Sequence, residues 1–247
     1  QAGLVLTAEY SDLWKEDKKT ETNEVMFALQ HSAKHKIASN YGKSYYPSDY
    51  SPNAGWADYY GNEDFFKAYP NDDRKEWNYM TEWKIKSGEI IPYTESADKL
   101  PAISKYYDYD EGAPGKSAQS NGITCIYRYA EVLLMYAEAS TRATNSVNQD
   151  ALNAIQEVQK RAGYQDRQIE LTTTTEPTAF LTAVSNERGW EFFAEMKRWF
   201  ELVRLEKVKE VRAEEWDAST FNTNHHYYFP VPYQQVDLAG WTNNAGY

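Results

Sequence analysis

Cysteine is almost missing from this sequence, and its scarcity excludes several classes of protein. Cys125 is the single cysteine among 247 residues, so no internal disulfide framework can hold the fold. It stands at the start of an apolar stretch, which favours a small buried side chain over a reactive thiol. None of the four histidines has an interpretable spacing to it. The sequence therefore predicts neither a disulfide scaffold nor a catalytic cysteine.

Long apolar runs and clustered positive charge are also missing. No run of 18 apolar residues occurs, so no membrane-spanning helix is predicted. The net charge of −11 argues against a nucleic-acid partner, which needs grouped lysines and arginines. No signal sequence is visible, and the chain opens QAGLVLTAEY without an initiator methionine. We therefore expect a fragment or a processed form.

Motifs for phosphate, metal and hydrolytic chemistry are lacking as well. No glycine-rich phosphate loop has the required spacing. His31 and His35 lie four residues apart, but no intervening glutamate completes a hydrolase motif, and His225 and His226 are adjacent. We predict all four to be structural or solvated, with no metal and no cofactor. Aspartate and glutamate total 37, yet no motif singles out the paired carboxylates of a glycosidase.

Helical patterns dominate the second half of the sequence. The spacing of apolar residues predicts helices over 126–140 and 150–162, the second ending at Gly163, as an antiparallel pair. A third helix is expected to begin near Thr175–Pro177, with a hydroxyl cap and a break near Met196.

The first half is less regular. Residues 1–19 have a helix-like pattern, 23–32 favour a strand, and 76–89 fit either a strand pair or one helix. Residues 39–122 are rich in turn-forming residues, and the tail from Tyr227 onward is expected to be extended.

Charges interrupt the apolar helix YRYAEVLLMYAEAS. Its apolar residues surround most of the helix, which predicts burial among other helices. Buried charges persist only when they are paired, so partners are expected on the third helical segment. We interpret these charges as a structural ion network and not as a ligand site. Its predicted members are Arg128, Glu131, Glu138, Glu187, Arg188, Glu191, Glu195, Arg198 and Arg204.

Four ordered motifs resemble one family. YRYAEVLLMYAEA, a helix ending KRAG, NERGWEFFAEMKRWFELVR and FPVPYQQ…NNAGY resemble the C-terminal part of SusD/RagB-family lipoproteins. NEVMFALQ and DDRKEW resemble earlier stretches of that family. The likeness spans residues 1–247, with only scattered matches over 41–122. Ala245 departs from the family, which usually has proline before the final GY.

This resemblance implies a mainly α-helical, SusD-like fold with tetratricopeptide-type helix pairs, long irregular aromatic-rich loops and few short strands. Residues 1–122 are expected to form the loop-rich ligand-binding part, and 123–247 the helical scaffold with an extended tail. The family's N-terminal half, with its lipidated cysteine, is expected to be absent from this chain.

The resemblance also implies a function. Family members are outer-membrane surface lipoproteins of Bacteroidetes that bind a nutrient, usually a glycan and sometimes a peptide. They cap a TonB-dependent SusC-like transporter and break no bonds. Contact with the membrane is expected only through the lipid anchor of the missing part. A helical-repeat adaptor and, with less support, a glycoside hydrolase stay open as alternatives.

Aromatic residues supply the candidate ligand-binding site. They make up 15% of the chain, and 17 of the 38 lie within residues 41–109, with few aliphatic neighbours. Sugar rings stack on exposed aromatic faces, while acids and amides bind the hydroxyls. The alternative is that these rings pack the loop onto the core. The candidates are Tyr45, Tyr46, Trp56, Tyr59, Tyr60, Trp77 and Trp83, with Trp56 and Tyr59 or Tyr60 preferred.

Overall fold

The structure is a computed structural model that describes residues 3–51, 54–107, 120–211 and 226–247. The chain divides into two compact units, Gln1–Glu195 and Met196–Tyr247. Helices are the main regular structure in both where described, with a few short strands in the first. The prediction of a mainly α-helical protein is confirmed.

The first unit carries the strands and most of the helices. Two 3₁₀ helices span Tyr10–Leu13 and Tyr93–Glu95. Its regular elements are β1 (Val25–Gln30), α1 (Tyr41–Tyr45), α2 (Glu63–Ala68), α3 (Asp73–Asn78), β2 (Tyr79–Met80), β3 (Glu82–Lys84), β4 (Ile90–Pro92), β5 (Ala102–Ile103), β6 (Ile123–Arg128), α4 (Tyr129–Thr144), α5 (Gln149–Arg161) and α6 (Pro177–Glu191).

The second unit, where described, contains three short helices, α7 (Arg198–Arg204), α8 (Val208–Val211) and α9 (Tyr233–Ala239). The tail was expected to be extended, but YQQVDLA forms α9 directly after Pro232. Because proline lacks an amide hydrogen, it is tolerated at a helix start. His225 and residues 212–224 lie outside the described part of the chain.

A core of small and aliphatic side chains joins α4, α5 and α6. Ala130, Leu134 and Ala137 of α4 pack with Ile155 of α5 and Phe180 of α6, all fully buried. Alanine at these positions lets the helices approach closely. The sequence-predicted limits of α5 agree with the structure to within one residue at each end.

Local capping groups fix where these helices begin and end. The Asn148 side chain accepts a hydrogen bond from the Ala151 amide at the start of α5. After α5, Gly163 adopts a φ of +84°, which glycine allows at a helix C-terminus. At α6 the expected hydroxyl cap is replaced by the Glu176 carboxylate, which accepts from two first-turn amides.

The structure corrects the prediction that α4 is buried on nearly all sides. Glu131 and Glu138 lie on the same face as Leu134 and are buried, whereas Val132 and Met135 point outward and are exposed. The helix begins only at Tyr129, because residues 123–128 form β6. The apolar run therefore continues through a strand and then along a helix face that is exposed. A helix buried on all sides would offer no surface to a protein partner, so the exposed face of α4 leaves the adaptor alternative open.

Strands β1 and β6 form an antiparallel pair, with Ala28 opposite Cys125 and Leu29 opposite Thr124. Cys125 is buried beside Trp14 and Tyr106 in a second core cluster. This pairing ties the beginning of the chain to its helical part. The compact unit that contains both strands extends as far as Glu195, so it includes the loop-rich region together with α4, α5 and α6.

The loop-rich region contains more regular structure than its composition indicates. β2 pairs with β5 and β3 pairs with β4, so 76–89 holds the end of a helix followed by strands. By contrast, residues 3–19 contain one 3₁₀ turn where a helix was predicted. In the described part of the chain, no helix has the length and apolarity needed to cross a membrane.

Candidate functional site

The segment 54–60 folds back over α1 and is fixed to it by backbone hydrogen bonds. The Trp56 amide donates to the Lys43 carbonyl oxygen at 2.7 Å, and the Asp58 amide donates to that of Ser44 at 2.9 Å. The Ala57 amide donates to the Tyr46 carbonyl oxygen at 3.0 Å. The backbone beneath the exposed aromatic rings is thereby held in one conformation.

Gly55 permits this close approach. A Cβ atom at position 55 would lie 2.1 Å from the Tyr46 carbonyl oxygen and 2.3 Å from its Cβ atom. Both distances are too short for any side chain, and one of the clashing atoms is backbone. Glycine is therefore required if the segment is to lie against α1.

Two aromatic rings of this segment project into solvent. Trp56 is 50% exposed and Tyr59 is 61% exposed. The ammonium of Lys43 lies 4.8 Å from the centroid of the Trp56 ring, in a cation–π contact. Asp58, between the two rings in sequence, is also exposed. We call Lys43, Tyr45, Trp56, Asp58 and Tyr59 the platform.

A series of ring contacts connects Tyr59 to the protein interior. Its ring centroid lies 5.8 Å from that of Tyr45, which stacks on Tyr106 at 5.8 Å with an interplanar angle of 15°. Tyr106 is buried in the second core cluster. Burial, with Tyr41 and Tyr59 close by, raises the pKa of Tyr45 to about 12. Tyr45 therefore remains neutral at physiological pH and supports the exposed ring.

Tyr60 and Trp77 are partly buried. The Tyr60 hydroxyl donates to Oδ2 of Asp98 at 2.7 Å, and burial together with this bond raises the pKa of Tyr60. The indole of Trp77 donates to the Lys105 carbonyl oxygen at 3.3 Å and packs against the second core cluster. Both rings hold their segments in place. Tyr60 follows Tyr59, the last residue of the platform, in sequence.

Tyr46 and Trp83 lie in the interior, each only 3% exposed. Tyr46 packs between Tyr50 and Tyr107, with centroids 5.0 and 5.2 Å away. The Trp83 indole donates to Oδ1 of Asp49 at 2.8 Å. These two rings pack the loop onto the core, so their placement does not support the prediction that they contact a ligand.

A buried ion network forms a separate cluster. Arg128 of β6 pairs with Glu24, Glu191 and Glu195, and all four side chains are fully buried. Arg161 at the end of α5 also pairs with Glu24 and Glu191. The network therefore joins one end of the β1–β6 pair to α5 and α6.

Arg74 of α3 extends the network. Its guanidinium pairs with Asp72 at 2.6 Å, with Glu187 at 2.6 Å and with Glu191 at 2.8 Å. Lys105 pairs with Glu195 at 2.6 Å. Sequence reasoning did not place Glu24, Asp72, Arg74, Lys105 or Arg161 in the network, although DDRKEW was among the stretches that carried the resemblance.

The network shifts the acidity of its carboxyl groups in opposite directions. Burial raises the pKa of Glu191, but the charges of Arg161, Arg128 and Arg74 outweigh it and hold the pKa well below its usual range. The pKa of Glu187 is raised, because burial there outweighs the attraction of Arg74. Glu191 is thus the acid at which the arginines converge.

Other predicted members of the network lie at its edge or elsewhere. Arg188 lies 3.6 Å from Glu131, and Glu138 pairs with Arg142 on its own helix. In the second unit, Arg198 pairs with Glu201 within α7, and Arg204 is exposed at the end of that helix. Among the residues that the structure describes, no group of three or more His, Cys, Asp or Glu could hold a metal ion.

Comparison with known proteins finds a family model that matches more than half of the chain. A family model described as the SusD family matches residues 78–247. SusD-like protein P2 of Formosa agariphila is 25% identical to this chain, over 99% of the chain and 52% of that protein. The chain therefore spans about half the length of this curated relative.

Solved structures share the fold. A SusD superfamily protein from Parabacteroides distasonis has a TM-score of 0.78 and 23% identity, covering 99% of this chain and 54% of that one. Surface glycan-binding protein A from Bacteroides thetaiotaomicron, solved in complex with laminarihexaose, has a TM-score of 0.72 and 23% identity, covering 99% and 56%. At this level of identity, the likeness shows the fold alone.

Proposed function

Since this chain belongs to the SusD family, we propose that it binds a glycan without cleaving it. The observation that carries the proposal is the pair of exposed rings, Trp56 and Tyr59, held on a backbone that is fixed to α1. Sugar rings present C–H faces that pack on such aromatic surfaces, and the exposed carboxylate of Asp58 can accept hydrogen bonds from their hydroxyls.

Rigidity of the platform favours binding. Tyr59 is supported by Tyr45 and, through it, by buried Tyr106, so little side-chain freedom is lost when a ligand arrives. Each stacked ring contributes on the order of 1 kcal/mol. Two rings therefore supply only about half of the roughly 4 kcal/mol that millimolar binding requires, so we expect a single short oligosaccharide to bind at millimolar affinity or more weakly. Several such sites along one polymer strengthen attachment through avidity.

Further parts of the proposal concern the biological setting. We place the protein at the surface of the outer membrane, where it captures a nutrient glycan and passes it to a TonB-dependent SusC-like transporter. The structural neighbour solved with laminarihexaose is named a surface glycan-binding protein, which supports this setting. Pull-down of a TonB-dependent transporter from the native outer membrane tests the partnership.

Affinity electrophoresis in polysaccharide-containing gels tests the binding function. The wild-type chain is expected to be retarded by at least one polysaccharide of a panel that includes laminarin, without release of sugar. Trp56→Ala and Tyr59→Ala should each abolish most of the retardation. Tyr136→Ala removes an exposed aromatic ring on α4, outside the platform, and serves as the matched control.

Three results would contradict the proposal. Retardation that survives both platform substitutions would move the site elsewhere. Release of oligosaccharide would favour a glycoside hydrolase. Retention on immobilised peptides, with no response to any polysaccharide, would favour a peptide-binding member of the family.

A further inference from the structure

Three consecutive basic residues lie on a turn that follows β1. Lys34, His35 and Lys36 are the only run of three basic residues in the sequence, and all three are exposed. Ile37, which comes next, is 55% exposed. We call residues 33–37 the basic turn. It concentrates positive charge at one place on a chain whose net charge is −11.

Hydrogen bonds hold the basic turn at both ends. The Ile37 amide donates to the Ser32 carbonyl oxygen at 2.9 Å, and the Lys36 amide donates to that of Ala33 at 3.0 Å. The Ala33 amide donates to Oδ1 of Asn121 at 2.5 Å, which attaches the turn to the segment before β6. Because the backbone is already fixed, only side chains of the turn lose freedom when a ligand binds.

The two lysines of the basic turn have no acidic partner. Within the part of the chain that the structure describes, neither Lys34 nor Lys36 forms an ion pair. By contrast, the exposed Lys67 of α2 pairs with Glu63 at 3.1 Å. A paired lysine must give up its carboxylate to bind another anion, whereas Lys34 and Lys36 give up only water. Both ammonium groups are therefore available to a ligand.

Ring contacts relate the basic turn to the platform. The ring of His31, just before the turn, lies edge-on to that of Tyr41, with centroids 6.4 Å apart. Tyr41 is the first residue of α1 and stacks on Tyr45 of the platform at 6.5 Å. The five residues of α1 extend for only about 7 Å. The basic turn and the platform are therefore attached to the same short helix.

We infer that the basic turn binds an anionic substituent, a sulfate or a carboxylate, of the glycan that the platform holds. The inference rests on the proposed function and specifies acidic glycans as its ligand class. Ammonium groups bind sulfate and carboxylate oxygens through charge-assisted hydrogen bonds. Lys43 can contribute as well, since its ammonium can rest on the Trp56 ring and still pair with an anion.

A polymer suits the basic turn better than a membrane surface does. The turn is a small cationic area on an acidic protein. A flat anionic bilayer would bring many carboxylates of the protein close to its own phosphates, and the two would repel. A glycan chain is narrow, so it can contact the turn while most of the acidic surface stays in water.

Isothermal titration calorimetry with matched polysaccharides tests the inference on the full chain. Laminarin is compared with sulfated laminarin, and xylan with sulfated xylan, so that backbone and linkage are constant within each pair. Lys34→Gln combined with Lys36→Gln removes both ammonium groups. Each exposed ion pair changes an affinity by up to about fivefold, so this double variant should bind the sulfated polymers about three- to tenfold more weakly at low salt. Its affinity for the neutral polymers should equal that of the wild type. At about 500 mM NaCl the loss should fall below about twofold, because salt screens exposed charges.

Lys84→Gln combined with Lys86→Gln is the matched control. These two lysines are also exposed and two residues apart, but they lie at the end of β3 and in the turn after it. The control removes the same total charge, so it measures the effect of net charge alone. It should leave the affinities for neutral and sulfated polymers within about twofold of the wild type. Thermal melting should show both double variants to be as stable as the wild type, since all four side chains are exposed.

The outcomes separate this inference from the proposed function. A loss confined to the sulfated polymers and to the variant of the basic turn supports the inference. Equal losses for the turn variant and the control, equal losses for neutral and sulfated polymers, or no loss at all overturn it and leave glycan binding intact. Failure of the wild type to bind any of the four polymers overturns both proposals.

Vesicles of phosphatidylcholine with phosphatidylglycerol test the membrane as the partner instead. Sedimentation with these vesicles should be weak for the wild type and the same for the turn variant. Strong sedimentation that the turn variant loses, with unchanged affinity for the sulfated polymers, would assign the basic turn to a membrane surface and overturn the inference.

Discussion

The guanidinium of Arg128 donates two hydrogen bonds to the carboxylate of Glu195, from Nε to Oε2 at 3.1 Å and from Nη2 to Oε1 at 2.8 Å. Both side chains are buried, and Nη2 also donates to the Glu191 carbonyl oxygen at 2.8 Å. The planar fork of arginine fits a carboxylate in a way that lysine cannot reproduce. This pair fastens the end of β6 to the segment that follows α6.

Loss of this guanidinium should destabilise the fold strongly. Arg128→Met leaves three carboxylates buried with fewer cations, and should lower the free energy of unfolding by about 3–5 kcal/mol. Arg128→Lys should restore only part of that loss. Urea denaturation measures both. Arg142→Met removes a half-exposed partner of Glu138 on the surface of α4 and should cost less than about 1 kcal/mol. Equal losses for Arg128→Met and Arg142→Met would contradict the structural role of the network.

Lys105 should make stability depend on pH at the alkaline end. Burial lowers the pKa of Lys105 to about 8; Glu195 opposes this shift, and Arg128 adds to it. In the unfolded chain the pKa is about 10.4, so between about pH 8 and 10.4 the unfolded chain binds more protons than the folded one. The contribution of Lys105 to the free energy of unfolding therefore rises with pH across this window.

Comparison with Lys105→Met isolates this effect. The difference in free energy of unfolding, wild type minus variant, should move in favour of the wild type between pH 8 and pH 10, by an amount on the order of 1–3 kcal/mol. Urea midpoints at pH 7, 8, 9 and 10 provide the measurement. A difference that stays constant or falls across this range would show that the Lys105 ammonium is as stable in the folded protein as in water.

Gly55→Ala should disturb the platform. The added methyl group would meet the Tyr46 carbonyl oxygen at 2.1 Å, so segment 54–60 must move away from α1. We expect a loss of about 1–3 kcal/mol in stability and a severalfold loss of glycan affinity. Gly88→Ala is the control: its φ of +93° makes alanine unfavourable there, but its Cβ would meet open space in the β3–β4 turn. Thermal melting and gel retardation should show both variants destabilised and only Gly55→Ala impaired in binding.

Helix periodicity predicted the helices of the scaffold well where turn-forming or capping residues mark their ends. α5 is bounded by Asn148 and Gly163, and α6 starts at Pro177, all visible in the sequence. The β6–α4 junction was not predicted, because no turn residue separates Arg128 from Tyr129. Residues 123–128 are extended because they pair with β1, which lies far away in sequence. The local sequence pattern gives no information about that distant strand.

Composition located the aromatic region but did not show which rings face solvent. Tyr46 and Trp56 lie in the same mixture of rings and turn residues, so nothing local separates the buried ring from the exposed one. The close approach of Gly55 to Tyr46 and the hydrogen bond between Trp83 and Asp49 decide which rings turn inward. Both are contacts between separate segments, which the order of residues along the chain does not reveal.

The ion network shows the same limit over longer distances. Acidic residues at 187, 191 and 195 recur along one stretch, so buried pairing there was predictable. Their partners Arg74 and Lys105 lie about a hundred residues earlier, in a region whose composition indicated only loops. Sequence spacing therefore identified these three carboxylates, but not most of the cations that neutralise them.

The union of β1 with β6 has a consequence for biosynthesis. Residues 31–122 separate the two strands, so β1 leaves the ribosome long before its hydrogen-bonding partner exists. At about 5–20 residues per second, the delay is roughly 5–20 s. During that interval Met26, Phe27 and Leu29 lack the neighbouring strand. The nascent chain thus carries an unpaired hydrophobic edge for seconds, the period in which a chaperone would find it most readily.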